Sequence, residues 1–194
     1  MRQWRDYENF VKMETPVSQQ QRSPLASPAW LAERLDQPEI VTIDASWYLP
    51  AQNRDGKAEY LAGHIPGAIF FDIDEISDHS TPLPHMLPTP EAFGAAMGAL
   101  GVSENMTAVV YDGAGLFSAA RVWWMLRHFG MREVYVLDGG LPAWKAAGGK
   151  LDAGPVTRPA ATFKATHAPE RVAHMADVAA ALKAGGLVLD ARAG

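Results

Sequence analysis

Residues 107–126 read TAVVYDGAGLFSAARVWWML, which holds a predicted strand, a glycine-rich turn and a predicted helix in direct succession. The apolar run 107–111 has the length and composition of a buried strand, and Asp112 ends it. Apolar side chains then recur at helical spacing from Val122 to Phe129. A buried strand that passes directly into an amphipathic helix is typical of an α/β domain.

The same alternation of strands and helices extends in both directions from this stretch. Ser27 before Pro28, and Thr89 before Pro90, are typical helix starts, because the hydroxyl caps free amides and proline suits the first helical position. We predict further strands within residues 39–44 and 133–138, a turn running into a strand over 64–72, and short helices around Tyr60 and Trp144. This order predicts an α/β domain whose parallel sheet is flanked by helices on both faces.

Composition limits the classes of function. The 194 residues are 48% hydrophobic and 20% charged with a net charge of −5, so the chain has enough apolar surface for a core. The mild acidity provides no basic surface for nucleic acid or an anionic membrane. No apolar run approaches the roughly 18 residues that a membrane span needs. We expect no nucleic-acid partner and no membrane partner.

The sequence contains no cysteine. A disulfide, a thiolate zinc site and a thiol nucleophile are therefore excluded within these residues. The N-terminal residues 1–24 are polar and lack the continuous apolar core of a secretory signal, so we predict a disordered leader. A cytoplasmic location is the expectation that follows.

A linker and an incomplete repeat are predicted after the first domain. We assign residues 25–147 to that domain and 148–170, which are rich in glycine and proline, to a linker. A helix and an apolar strand ending in Asp190-Ala191 then repeat the order that precedes Asp44-Ala45. We therefore predict that residues 171–194 begin a second copy, truncated at its first strand. The chain after about Pro155 should be loosely held and open to limited proteolysis.

The turn after Asp112 is the best-placed candidate pocket on general grounds. Ligands collect at the carboxyl ends of parallel strands, where amides and a helix start favour anions. The Gly113-x-Gly115 pattern is a weak dinucleotide fingerprint, because Ser118 stands where the third glycine would be. The charge of Asp112 also argues against an anion. We favour a simple turn from strand to helix over a nucleotide-binding site, and expect no nucleotide affinity.

Three other side chains are candidates near the strand ends. His64 and Asp55, nine residues upstream in a polar loop, suggest an oriented acid/base pair, or else His64 only hydrogen-bonds the adjoining turn. Arg121 lies one turn into the helix that follows the glycine-rich turn. Its guanidinium either points toward the pocket or pairs with a carboxylate such as Asp112.

His79, His85 and Asp78 are residue types that bind metal ions. Their spacing matches no compact site, and the intervening Pro82 and Pro84 fit a rigid surface loop better. The sequence therefore predicts no metal ion.

Several stretches together resemble the N-terminal rhodanese domain of tandem sulfurtransferases, and are most similar to the 3-mercaptopyruvate sulfurtransferase family, with the thiosulfate sulfurtransferases as near relatives. They are residues 44–50 (DASWYLP), 63–68 (GHIPGA), 71–88 (FDIDEISDHSTPLPHMLP), 118–125 (SAARVWWM) and 137–140 (LDGG). The resemblance runs from about Ser27 to Gly194, and the block 78–88 is the most specific part of it.

The resemblance implies a two-domain protein whose first domain is catalytically silent. In the family, a cysteine in the second domain takes sulfur from mercaptopyruvate or thiosulfate as a persulfide and passes it to a thiol or cyanide, without a cofactor. Asp112 stands at the position that matches this cysteine. His64, Asp55 and Arg121 match positions that would support the site from the domain interface.

Two hypotheses follow. The leading one is the N-terminal portion of a sulfurtransferase, inactive alone, whose partner is its own second rhodanese domain. The alternative is a stand-alone, non-catalytic rhodanese-like module that binds a protein partner.

Overall fold

The computed structural model describes residues 23–189. These residues form one sheet of five strands, in the order β1-β5-β4-β2-β3, and all pairings are parallel. The strands are β1 (Leu25–Ala26), β2 (Ile40–Asp44), β3 (Ile69–Phe70), β4 (Thr107–Tyr111) and β5 (Glu133–Leu137). The predicted α/β class with a parallel sheet is confirmed.

Six α-helices follow or connect the strands in the described part of the chain. They are α1 (Pro28–Ala32), α2 (Gly56–Ala62), α3 (Pro90–Ala99), α4 (Ala119–His128), α5 (Gly140–Ala146) and α6 (Met175–Lys183), with short 3-10 helices at Pro50–Gln52 and Pro169–Arg171. The capping residues act as predicted: the Ser27 and Thr89 side chains accept hydrogen bonds from amides in the first turns of α1 and α3.

The central strand β4 separates two hydrophobic cores. Ala108 and Val110 face the core that α3 and α4 cover, whereas Val109 and Tyr111 face the core that α1 and α5 cover. Successive strand side chains point to opposite faces, so a strand buried on both sides is apolar throughout. The prediction of helices on both faces is therefore confirmed.

Two strands are short, and one of them was not predicted. The predicted turn running into a strand over 64–72 is found: the Ala68 amide donates to the Ile65 carbonyl, with Gly67 at φ +71°, and the strand that follows is the two-residue β3. The two-residue β1 was not predicted, since it is too short to show any periodicity. It exists because the Val136 amide bonds to the carbonyl of Pro24 and β1 lies against β5.

The chain after α5 lies firmly on the domain, which differs from the expectation of a loose segment after Pro155. We call residues 155–167 the strap. Its Phe163 side chain is buried and meets the Phe93 ring edge-on at 5.5 Å between centroids. The Ala161 amide donates to the Gly98 carbonyl of α3 at 2.9 Å. The glycine at position 98 lets the strap backbone approach α3, because a Cβ on Gly98 would meet the Ala161 carbonyl oxygen at 2.6 Å.

Beyond the strap, the predicted helix forms but contributes nothing to either core. None of the residues of α6 is buried, and Leu187 beyond it is 85% exposed. The strand predicted from residue 187 onward is not formed over 187–189, because no neighbouring strand lies there to pair with it. Residues 190–194, with the Asp190-Ala191 repeat, and leader residues 1–22 lie outside the described residues. Across residues 23–189, no helix is both long and apolar enough to cross a membrane.

Candidate functional site

The carboxyl ends of β2 and β4 lie side by side, with Asp44 paired in register with Tyr111. Two loops leave this edge of the sheet. Residues 45–49 follow β2, and residues 112–118 follow β4 and lead into α4. We call residues 112–118 the β4 loop.

The β4 loop closes around the carboxylate of Asp112. One carboxylate oxygen accepts hydrogen bonds from the amides of Ala114 (2.9 Å) and Gly115 (2.8 Å). The other accepts from the amides of Phe117 (2.7 Å) and Ala119 (2.9 Å). The Asp112 side chain is completely buried. Amides that converge on one point, beside a helix start, form a site for negative charge, and the chain fills it with its own side chain.

The loop after β2 locks the β4 loop in place. The Ser46 hydroxyl accepts a hydrogen bond from the Gly113 amide at 2.9 Å, and the Ser118 hydroxyl accepts one from the Trp47 amide at 3.1 Å. Ser46 is itself held, because its amide donates to the buried Asp44 carboxylate at 2.9 Å. Burial raises the pKa of Asp44, and the hydrogen bonds from Ser46 oppose that shift.

The β4 loop also requires a glycine at the start of α5, which packs against it. Gly140, at the start of α5, has φ +56°, and a Cβ there would meet the carbonyl oxygen of Asp112 at 2.5 Å. The next residue, Leu141, donates its amide to that same carbonyl at 3.0 Å. The shape of the β4 loop therefore depends on a close backbone contact with the start of α5.

A tyrosine, an arginine and a glutamate pack beside the β4 loop and were not predicted as a group. The Tyr48 hydroxyl donates to the Glu59 carboxylate at 2.8 Å, and Arg54 donates to that hydroxyl at 2.7 Å. The Arg54 guanidinium lies 3.7 Å from the centre of the Tyr48 ring. Burial is the main reason that the Tyr48 pKa is raised, whereas Arg54 holds the pKa of Glu59 below its usual value. The sequence signal was only the five-residue spacing of Arg54 and Glu59.

We call the proline-rich segment of residues 77–90 the excursion; contacts among Trp47, Asp74 and His85 hold it at the strand ends. The Trp47 indole donates to one Asp74 carboxylate oxygen at 3.2 Å, and His85 Nε2 lies 2.7 Å from the other. The His85 ring also meets the Trp47 ring edge-on at 4.9 Å. His79 Nε2 lies 3.3 Å from the Glu75 carbonyl oxygen. Within residues 23–189, no group of three His, Asp or Glu side chains is placed to hold a metal ion.

Arg121 takes neither of the two positions considered from sequence. Its guanidinium donates to the backbone carbonyl of His85 at 3.0 Å and lies 5.1 Å from the centre of the Trp124 ring. Its hydrogen bond goes to the excursion, while the carboxylate of Asp112 is bonded to the loop amides. Burial lowers the pKa of Arg121. Arg121 therefore ties α4 to the excursion.

His64 and Asp55 form no acid/base pair, because no hydrogen bond joins their side chains. His64 is completely buried, and its Nδ1 donates to the Tyr60 carbonyl at 2.9 Å while the ring stacks on that tyrosine. The Asp55 carboxylate instead caps α2 by accepting from the Ala58 amide at 3.0 Å. The alternative in which His64 bonds only its neighbouring backbone is the one that the structure shows.

Apolar side chains are exposed around the mouth of the β4 loop. Phe117 is 50% exposed and lies parallel to Trp47 at 6.4 Å, and Leu116 and Leu49 are similarly exposed. We call Leu49, Leu116 and Phe117 the apolar rim. Exposed apolar residues that cluster beside a polar loop are typical of a surface that another domain covers.

The profile of the rhodanese-like domain matches residues 27–147. The chain belongs to the rhodanese family. The rhodanese-like chain is 51% identical over 150 residues to 3-mercaptopyruvate sulfurtransferase of Escherichia coli, covering 77% of this chain and 53% of that protein. It is 56% identical over 125 residues to the mitochondrial thiosulfate/3-mercaptopyruvate sulfurtransferase 1 of Arabidopsis thaliana, covering 64% of this chain and 33% of that protein.

A solved structure agrees with the sequence relatives. The crystal structure of SseA from Escherichia coli, described as a 3-mercaptopyruvate sulfotransferase with the rhodanese fold, superposes with a TM-score of 0.80 at 48% identity. The match covers 84% of this rhodanese-like chain and 63% of SseA. The chain thus spans between a third and about half of the two curated relatives.

Proposed function

We propose that this rhodanese-like domain is the first, catalytically silent half of a tandem sulfurtransferase. The whole protein would move sulfane sulfur from 3-mercaptopyruvate or thiosulfate to a thiol or cyanide, without a cofactor. A cysteine in a second rhodanese domain would carry the sulfur. The similarity to 3-mercaptopyruvate and thiosulfate sulfurtransferases supports both the reaction and the choice of donors.

The observation that carries this proposal is the filled β4 loop. Loop amides of this kind stabilise an anion, and a cysteine persulfide is the anion that a sulfurtransferase must hold. The carboxylate of Asp112 occupies all of those amides and has no nucleophilic sulfur. The loop of this domain thus has the architecture of a persulfide site without its chemistry.

The chemistry assigned to the second domain is a two-step transfer. Its cysteine thiolate attacks the donor sulfur, and the bond from that sulfur to the rest of the donor breaks, releasing enolpyruvate or sulfite with the bonding electron pair. The product is a cysteine persulfide anion. A thiolate or cyanide then attacks the outer sulfur, the sulfur–sulfur bond breaks, and the cysteine thiolate is regenerated. No electrons enter or leave from outside.

The first domain would serve as a rigid wall of the active site. The apolar rim supports contact with a second domain, because Phe117 and Leu116 are half-exposed beside the strand ends. Arg121 and Asp55 would keep that wall in shape through the excursion and the start of α2. In the same proposal, the buried imidazole of His64 packs the turn that leads to β3.

The test is to read the coding sequence downstream of Gly194 and to assay its full product. We expect a cysteine in the loop that corresponds to the β4 loop. The full product should release pyruvate from mercaptopyruvate, together with sulfide when a dithiol is supplied as reductant, and should form thiocyanate from thiosulfate and cyanide. The 194-residue chain alone should be inactive in both assays. A downstream domain without that cysteine, or activity of the 194 residues alone, would contradict the proposal.

The stand-alone binding module stays a second candidate, because the same apolar rim could receive a separate protein. It would be favoured if the reading frame stops at Gly194 and the chain unfolds in one cooperative transition. The cytoplasmic location stays a prediction under either candidate.

A further inference from the structure

The strap ends at a pair of histidines that joins it to α4. His128 is the last residue of α4, and its Nε2 lies 3.2 Å from Nδ1 of His167. The two rings meet edge-on at 5.0 Å. His128 is only 1% exposed, whereas His167 lies at the surface. One imidazole of the pair is therefore shielded from water and the other is accessible to it.

The surroundings of His128 determine which nitrogen carries the proton. Its Nδ1 is buried and has no hydrogen-bond partner in the described residues. A buried N–H without an acceptor costs more than a buried lone pair without a donor. We therefore assign the proton of neutral His128 to Nε2, which donates to Nδ1 of His167.

Protonation of either ring breaks this hydrogen bond or strains its surroundings. A proton added to Nδ1 of His167 removes the acceptor and leaves two N–H groups facing each other. A proton added to Nδ1 of His128 creates a buried cation whose new N–H has no acceptor. Only the neutral pair keeps this hydrogen bond without burying an N–H of His128 that has no acceptor among the described residues.

The charged groups around the pair also oppose protonation. Arg121 of α4 and Arg171 of the 3-10 helix repel a charge on His128, and Glu170 is the one facing group that attracts it among the described residues. Burial is the largest cause of the lowered pKa of His128, followed by His167 and then Arg171. Trp124 stacks on the other side of the ring and offers no charge.

Two backbone contacts next to the pair tie the same segment to the end of α4. The Thr166 amide donates to the Phe129 carbonyl at 3.0 Å, and the Arg171 guanidinium donates to the Arg127 carbonyl at 3.1 Å. Upstream, the strap is held differently, by the buried Phe163 side chain and the α3 glycines. The strap therefore has an apolar anchor and, after it, a polar attachment that depends on the histidine pair.

We propose that His128 and His167 form a pH-sensitive latch that holds residues 164–171 on the end of α4 near neutral pH and releases them in mild acid. While the latch is closed, the chain leaves the domain after residue 171, just before α6. When the latch opens, the last residue held on the domain is Phe163 at the apolar anchor. The latch would set how freely everything after residue 171 moves relative to this domain. The inference does not depend on the sulfur chemistry proposed above.

The direction with pH follows from the lowered pKa of His128. When attachment of the strap lowers the pKa of a histidine, that histidine stabilises the attached state at pH values above the ordinary histidine pKa of roughly 6.5. That contribution is lost as the pH falls toward the depressed value. The latch is therefore closed above about pH 7 and opens progressively below about pH 6.

The test is hydrogen exchange of the 194-residue chain, measured residue by residue by NMR and expressed as protection factors. Between about pH 7.5 and 5.5 we expect the Thr166 amide to lose roughly tenfold in protection. The Ala161 amide, which bonds to Gly98 at the apolar anchor, should keep its protection. An unchanged Thr166 amide, or an equal loss at Ala161, would overturn the proposal.

A matched pair of variants isolates the histidines. In H167N, the side-chain oxygen can accept from His128 but does not titrate in this range, so only the titration of His128 remains and the loss at Thr166 should be clearly smaller than in the unsubstituted chain. H79N makes the same change at an exposed histidine of the excursion and should keep the full loss. A full loss in H167N would overturn the latch. Should H167N fold poorly, the ring protons of His128 in the unsubstituted chain must titrate below the ordinary histidine value of roughly 6.5, and a midpoint at or above that value would overturn the latch.

Discussion

The carboxylate of Asp112 accepts the amide of Phe117 at 2.7 Å, and this bond closes the β4 loop on a buried negative charge. Phe117, the residue that closes the loop, is also one of its exposed apolar residues, since its ring lies in the apolar rim. The buried charge and the exposed apolar side chains are thus parts of one turn. Changing Asp112 should affect both.

Removing the Asp112 carboxylate should destabilise the domain strongly. In D112A, the amides of Ala114, Gly115, Phe117 and Ala119 lose their acceptor in a buried site, and we expect a loss of about 3 kcal/mol in the free energy of unfolding by urea.

The matched control is D138A, at the exposed residue that follows β5. It should cost less than about 0.5 kcal/mol. Equal losses in D112A and D138A would show that the loop amides are satisfied without the carboxylate.

A thiol placed in the loop should be unusually acidic. In D112C, the amides that now hold the carboxylate would stabilise a thiolate, so we expect a pKa at least about one unit below the ordinary 8.5. Thiolate absorbance in the ultraviolet, followed against pH, measures it. D138C is the exposed control, and its thiol should have the ordinary pKa. If the D112C thiol has the same pKa as the D138C thiol, the amides do not stabilise a negative charge.

The ion pair beside Tyr48 should make a small, pH-dependent contribution to stability. Arg54 lowers the folded-state pKa of Glu59, so the contribution is present above the unfolded value of about 4.3 and is lost as the pH falls through the lowered folded value. R54Q should raise the Glu59 pKa, which NMR of the carboxyl carbon can follow. The pair is largely exposed, so the stability difference should stay under about 1 kcal/mol near neutral pH and shrink in acid, where only the contacts of Arg54 with Tyr48 remain. A difference below about pH 3 as large as the one near neutral pH would rule out this ion pair as its cause.

The strap should behave as part of the domain core. F163A removes a buried ring that packs on Phe93, and we expect it to cost about 3 kcal/mol or more in unfolding free energy. L182A, on the exposed surface of α6, should cost less than about 0.5 kcal/mol. Limited proteolysis should correspondingly spare the strap and cut after it. Comparable costs for the two variants, or early cleavage within 155–167, would contradict this assignment.

Local sequence signals were sufficient where the structure is local. The apolar run 107–111 and the glycine-rich turn after it predicted strand, turn and helix, because strand burial and helix start depend on neighbouring residues. Ser27 and Thr89 predicted the starts of α1 and α3, since a cap acts within one turn. The same reasoning failed for β1, whose two residues exist only through pairing with β5.

The candidate site was located from sequence but its contacts were not. The sequence places Asp112 at the correct strand end. The orientation of four amides toward its carboxylate, however, depends on the contacts that Gly140 and Ser46 make with the loop. Arg121 was considered for the pocket, and its true acceptor lies 36 residues upstream, at the carbonyl of His85. A one-dimensional pattern holds no information about which distant backbone carbonyl will lie beside a given side chain.

The amino-acid sequence by itself determined the alternation of strands and helices, the doubly covered parallel sheet and the absence of a thiol nucleophile among these residues, because periodicity, capping and composition are local properties. Only the tertiary structure decided that the Asp112 carboxylate fills its own amides, that the predicted linker is partly a strap with Phe163 in the core, and that His128 meets His167. Those contacts join residues far apart in the chain, and they form only when packing of the two cores has brought the segments together.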